Sequence, residues 1–497
     1  MQTDQAYAFL LDHHHETSML ASMGALLHWD QSTMIPPAGN AHRAQQMASL
    51  TGLVHARNTD PAIGEALEAC KGMEAGPDQA ANLREWTRAY ERAVKIPMDL
   101  AKALARTASE SEVAWQVARP ENDWPAFRPH LEELVSLKRE EAEAVGYASE
   151  PYDALLDVYE PGETAAALVP VFEALREPIA GLLGRIIGSG RLPEPILRRP
   201  YPLDRQREFC IHVAGALGYD FQAGRLDVSA HPFSTTIGPG DSRITTRFQE
   251  DDFGNGFFST VHETGHALYE QGLPVEHWGT PRGEAVSLGV HESQSRLWEN
   301  FVARSKGFWR HFLPQAKERF DCLSDVGLSA FHFAANEVRP GLIRVDADEV
   351  TYNLHVLLRF ELELALVRGD LAVADLPGAF DEKMRDTLGL TPPDYKDGVM
   401  QDVHWSAGII GYFPTYTLGN VYAAQIWRAA GQALGDLEDM FSRGEFRPLL
   451  DWLREQVHGP GSLHQPRTLM ERVTGSGPDP SVLAEVLEQR YAEAYRL

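Results

Sequence analysis

Apolar residues recur at intervals of three and four over long stretches of this chain, with Ala, Leu, Glu and Arg between them, and that spacing predicts helix through most of its length. The pattern is regular over Asn82–Lys95, Trp124–Ala144, Glu349–Val367 and Pro480–Tyr495. Strand signals are confined to one region. Arg225–Val228, Phe233–Ile237 and Arg243–Thr246 are short β-branched or apolar runs punctuated by Gly238, Pro239 and Gly240, and they predict a small sheet or hairpin. Turn clusters such as Gly188–Pro200, Gly272–Pro281 and Thr391–Gly398 are short, and no segment has the composition of a flexible linker. A mainly α architecture is expected, organised as a single domain over residues 1–497.

Charge narrows the function. The 497 residues carry 45 Lys and Arg against 71 Asp and Glu, a formal net charge of −26. A nucleic acid or an anionic membrane gains little from such a field, so neither is expected as a partner. The longest apolar stretch, from Thr164 to Gly188, is broken by Glu173, Arg176, Glu177 and Arg185 and does not read as a bilayer span. The opening MQTDQAYAFLLDHHHE lacks the basic start and apolar core of a secretory signal. Cys70, Cys210 and Cys322 are odd in number and far apart, which suits neither a disulfide framework nor a cysteine zinc site. A cytoplasmic address follows as the expectation. His13, His14 and His15, adjacent on a helix, point in different directions and read as helix surface rather than a metal site.

The informative chemistry lies in NGFFSTVHETGHALYEQGL, from Asn255. A helical pattern runs from Phe257 to Tyr269, with Ser259 or Thr260 available as the cap and Gly272 to close it. On that helix His262 and His266 share a face and can bind one ion, while Glu263 stands beside it to handle a proton of the attacking water. A catalytic zinc needs a third protein ligand and an open position. Tyr269 and Gly272 occupy the places where the metzincin extension would put Gly and His, which excludes that class. A second amphipathic helix, read from Gly283, carries His291-Glu292-Ser293-Gln294. Glu292 is the natural third ligand, with His291 and Glu299 as competitors and Glu284 as a weaker one; His291 suits a role orienting a ligand. The predicted reaction is metal-assisted hydrolysis of a peptide or amide, with Glu263 as general acid/base.

At these residues the chain resembles the carboxypeptidase Taq family of metallocarboxypeptidases. The resemblance extends to His231-Pro232-Phe233, DSRITTR from Asp241, HESQ from His291, IRVDAD from Ile343, GVMQDVHW from Gly398 and LLHWDQSTMIPPAG from Leu26. It implies a mainly helical single-domain enzyme with a deep substrate groove and a small β-sheet beside the active site. It also implies a homodimer and removal of single C-terminal residues, with broad specificity, using one zinc or cobalt ion per chain. By the same resemblance His262, His266 and Glu292 are the metal ligands and Glu263 the acid/base.

Other residues have readings of their own. A free substrate carboxylate calls for an arginine fork, and Arg243, Arg247 and Arg344 are the candidates. The competing reading pairs Arg243 with Asp241, and Arg344 with Asp346 or Asp348. An oxyanion needs a neutral donor, for which Tyr416 is favoured over Tyr412, with His404 as a contact to the substrate backbone. Asp402 is a carboxylate able to orient His404, and His231, before a proline, is expected to project into the groove from an extended segment. Trp405, Trp278 and Trp298 read as core or groove lining. An oligopeptidase or dipeptidyl carboxypeptidase could use the same metal ligands, and an inactive peptide-binding protein is the alternative outside enzymes.

Overall fold

The computed structural model describes residues 2–497. The helical windows form as the spacing predicts: Pro77–Lys95, Trp124–Val145, Glu349–Arg368 and Pro480–Tyr495. One extended hydrophobic core joins helices from Ala118 to Tyr495, and a smaller cluster around Ala6, Leu10, Leu67 and Trp86 ties together the N-terminal helices. A polar seam joins the two. Arg282 donates to Asp78 at 2.7 Å, and Arg84 donates to the carbonyl of Ser462 at 2.7 Å. Among the described residues no helix is long and apolar enough to cross a membrane.

The strand region is a three-stranded sheet of β1 (Leu226–Val228), β2 (Phe233–Gly238) and β3 (Asp241–Thr246), in the order β1-β3-β2. β3 pairs parallel with β1 and antiparallel with β2. Gly240, at φ +79°, makes the tight turn between β2 and β3 in a conformation most side chains avoid. The buried residues Ile244, Thr245 and Thr246 of β3 back the sheet onto the helix that follows.

That helix spans Phe253–Glu270. It starts a turn earlier than the periodicity suggested, because Asp252 caps it by accepting from the Asn255 amide at 3.0 Å. Ser259 and Thr260 do not cap. Thr260 donates back to the carbonyl of Gly256 at 2.7 Å, and Ser259 lies 2.7 Å from the Thr246 hydroxyl. Gly272 does not close the helix with a left-handed residue either; a Cβ there would lie 2.3 Å from the His458 ring, so packing is what requires glycine. The apolar face, through Phe253, Phe257 and Val261, sits in an aromatic cluster with Tyr201, Phe209 and Phe320, where Phe253 stacks on Phe257 at 5.2 Å. The opposite face carries the histidines.

The second helix begins at Leu288, not at Gly283. Ser287 caps it by accepting from the Val290 amide at 3.1 Å, and Glu284 lies outside it, 3.7 Å from His14. After Arg296 the helix widens into a π turn over Leu297–Val302. Two glycines let its neighbours close on it. A Cβ at Gly265 would stand 2.6 Å from the Ser295 Cα, and one at Gly419, on the helix Phe413–Leu434, 2.6 Å from the Glu292 Cγ.

Candidate active site

The two helices and their neighbours wall a groove of about 1150 Å³. In it His262, His266 and Glu292 each present one ligand atom within 4.8 Å of the others. The Nε2 atoms of His262 and His266 lie 3.6 and 3.3 Å from Oε2 of Glu292. Tetrahedral bonds of about 2.0–2.1 Å place ligand atoms roughly 3.3 Å apart, so the donor set fits a divalent ion of zinc type.

Each ligand is held from behind. His262 Nδ1 meets Glu299 Oε2 at 2.9 Å, and His266 Nδ1 meets His291 Nδ1 at 2.5 Å. His291 is in turn anchored through Nε2 to Glu270 at 2.8 Å. These contacts turn both Nε2 atoms toward the site. His291 and Glu299 therefore stand behind the ligands. Glu292 accepts from Arg296 Nε at 2.7 Å through Oε1 and from Ser295 at 3.0 Å through Oε2.

Burial sets the protonation states. Desolvation pushes His266 down to about 3, keeping its imidazole neutral for ligation. On His262 desolvation acts the same way, but Glu292 and Glu299 outweigh it and the pKa rises, so a bound cation displaces that proton. Burial also opposes ionisation of Glu292, yet Arg296 and the histidines hold its carboxyl well below the usual range. Glu263 has no such arginine, and desolvation lifts it to about 7, near the value a proton shuttle needs.

Comparisons with known proteins agree with this site. The family model described as "Carboxypeptidase Taq (M32) metallopeptidase" matches residues 9–491. The chain belongs to the carboxypeptidase Taq (M32) family. It is 57% identical to thermostable carboxypeptidase 1 of Thermus thermophilus, with both chains covered in full. It is 37% identical to carboxypeptidase 1 of Bacillus subtilis over 95% of each. The crystal structure of an M32 carboxypeptidase from Deinococcus radiodurans superposes with a TM-score of 0.97 at 40% identity, covering 99% of this chain and 100% of that one. The mainly helical fold with its small sheet is thus the M32 fold, and the chain is a metallocarboxypeptidase, a peptide hydrolase, with a His-His-Glu metal-binding group.

Around this M32 site the remaining candidates separate. Tyr412 and Tyr416 line the groove, and burial raises both phenols, Tyr412 to about 12, so they stay protonated donors. His404 does not line it; the ring sits behind Tyr416 with Nε2 3.1 Å from the phenol oxygen, and desolvation lowers it to about 4. Asp402 makes no hydrogen bond to His404. Arg344 donates to its Oδ1 at 2.7 Å and Arg359 to its Oδ2 at 2.6 Å, so Arg344 pairs with neither Asp346 nor Asp348. Arg344 also donates to the Tyr352 hydroxyl at 3.0 Å and lines the groove.

Arg247 lines the groove too, exposed and without an ion pair among the described residues. Arg243 points elsewhere, bonded twice to Asp241 at 2.7 Å and stacked over Trp29 at 4.2 Å. His231 is exposed and outside the groove lining, with its carbonyl accepting from the Ser229 hydroxyl at 2.6 Å; Pro232 and Phe233 line the groove instead. Of the predicted tryptophans, Trp298 and Trp405 are buried in the core, and Trp405 donates to Glu363 at 3.0 Å. Three residues the sequence reading passed over complete the site: Arg296, Tyr352 and Arg359. Arg296 had a signal, four residues after Glu292 on one helix; Tyr352 reaches the groove wall only through the fold, and Arg359 lies buried behind it on Asp402.

Proposed function

We propose that this enzyme removes single residues from the free C-terminus of peptides with broad side-chain tolerance, with zinc in the His262–His266–Glu292 cradle and cobalt as a substitute. When bound, the ion supplies Lewis acidity for the scissile carbonyl and makes water acidic enough to attack near neutral pH. Glu263 takes a proton from the attacking water and returns it to the leaving amine as the C–N bond breaks. The Tyr416 hydroxyl, oriented by His404, donates to the developing oxyanion, and Tyr412 lies alongside it.

The observation that carries the exopeptidase reading is the charge count around Asp402. Two buried guanidiniums, Arg344 and Arg359, share one carboxylate, which leaves one positive charge unmatched where Arg344 meets the groove. A substrate carboxylate supplies the missing negative charge, so Arg344 is the clamp. Arg247 is the alternative clamp on the groove wall.

The test is a mass-spectrometric time course on one unstructured peptide and its C-terminal amide, with chelated enzyme and with enzyme reloaded with zinc or cobalt. The expected outcome is a metal-dependent loss of one residue at a time from the free acid, with the amide resistant. Arg344→Ala is expected to lower kcat/KM on the free acid by a factor of about 10 to 150, the loss of a charge-assisted bond of about 1.5–3 kcal/mol. Dipeptides or internal fragments from both peptides would point to the oligopeptidase. The homodimer that the family resemblance implies is checked separately by sedimentation.

A further inference from the structure

The carboxylate of Glu292 is held asymmetrically. Oε2 faces both histidine Nε2 atoms, while Oε1 is occupied by Arg296 Nε at 2.7 Å. The same guanidinium reaches Glu299 Oε2 at 3.2 Å, the oxygen that also holds His262 at 2.9 Å. Its flat face lies 4.3 Å from the Tyr352 ring centre, and the Tyr352 hydroxyl is fixed by Arg344 at 3.0 Å. Arg296 is thus braced on three sides, on the partner of one ligand, on another ligand itself and on the wall that carries the clamp.

A carboxylate beside a divalent ion can ligate through one oxygen or chelate through two, and chelation fills a position that substrate or water needs. A charge-assisted bond from a rigid, planar donor fixes which oxygen is free. Glu299 lies three residues after Arg296, within the π turn Leu297–Val302, and so shares its side of the helix.

We propose that Arg296 is a positioning residue that restricts Glu292 to one-oxygen ligation, keeping a coordination position open beside the two histidines. Through Tyr352 the same arginine ties the metal ligand to the residue that binds the substrate carboxylate. The inference rests on the His262–His266–Glu292 metal group.

X-ray absorption at the zinc edge of the wild-type enzyme tests it directly. Two imidazoles with a single carboxylate oxygen are expected. A chelating carboxylate in the wild type overturns the proposal, whereas absence of imidazole scattering overturns the metal group itself. The cobalt-loaded enzyme gives the variant test, because the visible band of cobalt(II) weakens as coordination number rises. Arg296→Met, close in volume but without donors, is expected to show a several-fold weaker band, zinc affinity that holds or tightens, and kcat down at least tenfold with KM little changed. Arg296→Lys, which keeps one donor, is expected to recover most of the band. An unchanged cobalt spectrum in folded, metal-loaded Arg296→Met overturns the proposal, as does a loss of zinc affinity, which would make the arginine merely structural. Should neither variant fold, a chelating carboxylate in the wild-type zinc-edge spectrum still overturns the proposal.

Discussion

Gly265 offers the sharpest test of how the metal site is assembled. It is the fourth residue of His262-Glu263-Thr264-Gly265-His266, and its Cα faces the backbone of the helix bearing Glu292. In Gly265→Ala the new methyl would lie 2.6 Å from Ser295 Cα and 2.7 Å from the Gln294 carbonyl oxygen, against ordinary contacts of 3.4 Å or more. Both obstacles are backbone, so no side chain can rotate away, and the helices must part by about 0.8 Å. Overpacking of this kind costs about 1–3 kcal/mol. The same displacement separates His266 Nε2 from Glu292 Oε2, now 3.3 Å apart, while metal sites tolerate bond changes of only about 0.2 Å. Zinc affinity should fall by at least about tenfold, comparable to the loss of a residue that orients a ligand. Competition against a chelator of known affinity measures the first effect, and denaturant unfolding of the metal-free protein the second. Gly184→Ala is the control: it sits in the helix Ala165–Gly188 with nothing within 4 Å of its Cβ, and should be neutral or stabilising by about 0.5–1 kcal/mol. Zinc affinity within twofold of wild type and stability within about 0.5 kcal/mol in Gly265→Ala would refute the claim that backbone contact between these helices fixes the site.

Three other outcomes follow from the geometry. Glu263→Gln is expected to keep zinc bound, by metal analysis, while kcat falls by about 10²–10⁴, the usual worth of general acid–base catalysis; activity within a few fold of wild type would remove Glu263 from the mechanism. Tyr416→Phe should lower kcat by about 10²–10³ with KM nearly constant, and a pure KM effect would assign the phenol to binding rather than to the oxyanion. Glu160 is fully buried, accepting from Ser287 and from the Gly289 amide at 3.0 Å each, and desolvation raises its pKa from 4.5 to about 8. Its folded form holds the proton more tightly than the unfolded chain, so its stabilising contribution is complete below pH 4.5 and is lost as pH rises through about 8. Glu160→Gln should therefore gain stability relative to wild type across that window in pH-dependent unfolding; parallel curves would show that Glu160 does not titrate there.

The sequence by itself determined the long helices and the two histidine ligands, because both are local, whereas the third ligand, Glu292, comes from a second helix and is brought to them by the fold. Helical spacing needs only neighbours within a turn, so Pro480–Tyr495 was legible to the residue, and His262, Glu263 and His266 lie within five residues on one helix. Caps were less legible. Asp252, Ser259 and Thr260 all have capping chemistry, and the choice among them fell to the packing of β3 against the helix, which engages the Ser259 hydroxyl through Thr246. The proposed arginine clamp shows the limit most clearly. Arg243, Arg247 and Arg344 are equivalent candidates in one dimension, yet the fold gives Arg243 its own carboxylate at Asp241, leaves Arg247 exposed, and buries Arg344 with Arg359 on Asp402. Nearby carboxylates in sequence, Asp346 and Asp348, were the wrong partners. Asp348 is already committed to capping the helix Glu349–Arg368, whereas Asp402, more than fifty residues away, is carried to Arg344 by that helix packing against the Gly398–Gly411 loop. Which charges pair in a dry interior depends on which side chains are desolvated together, and only the tertiary structure decides that.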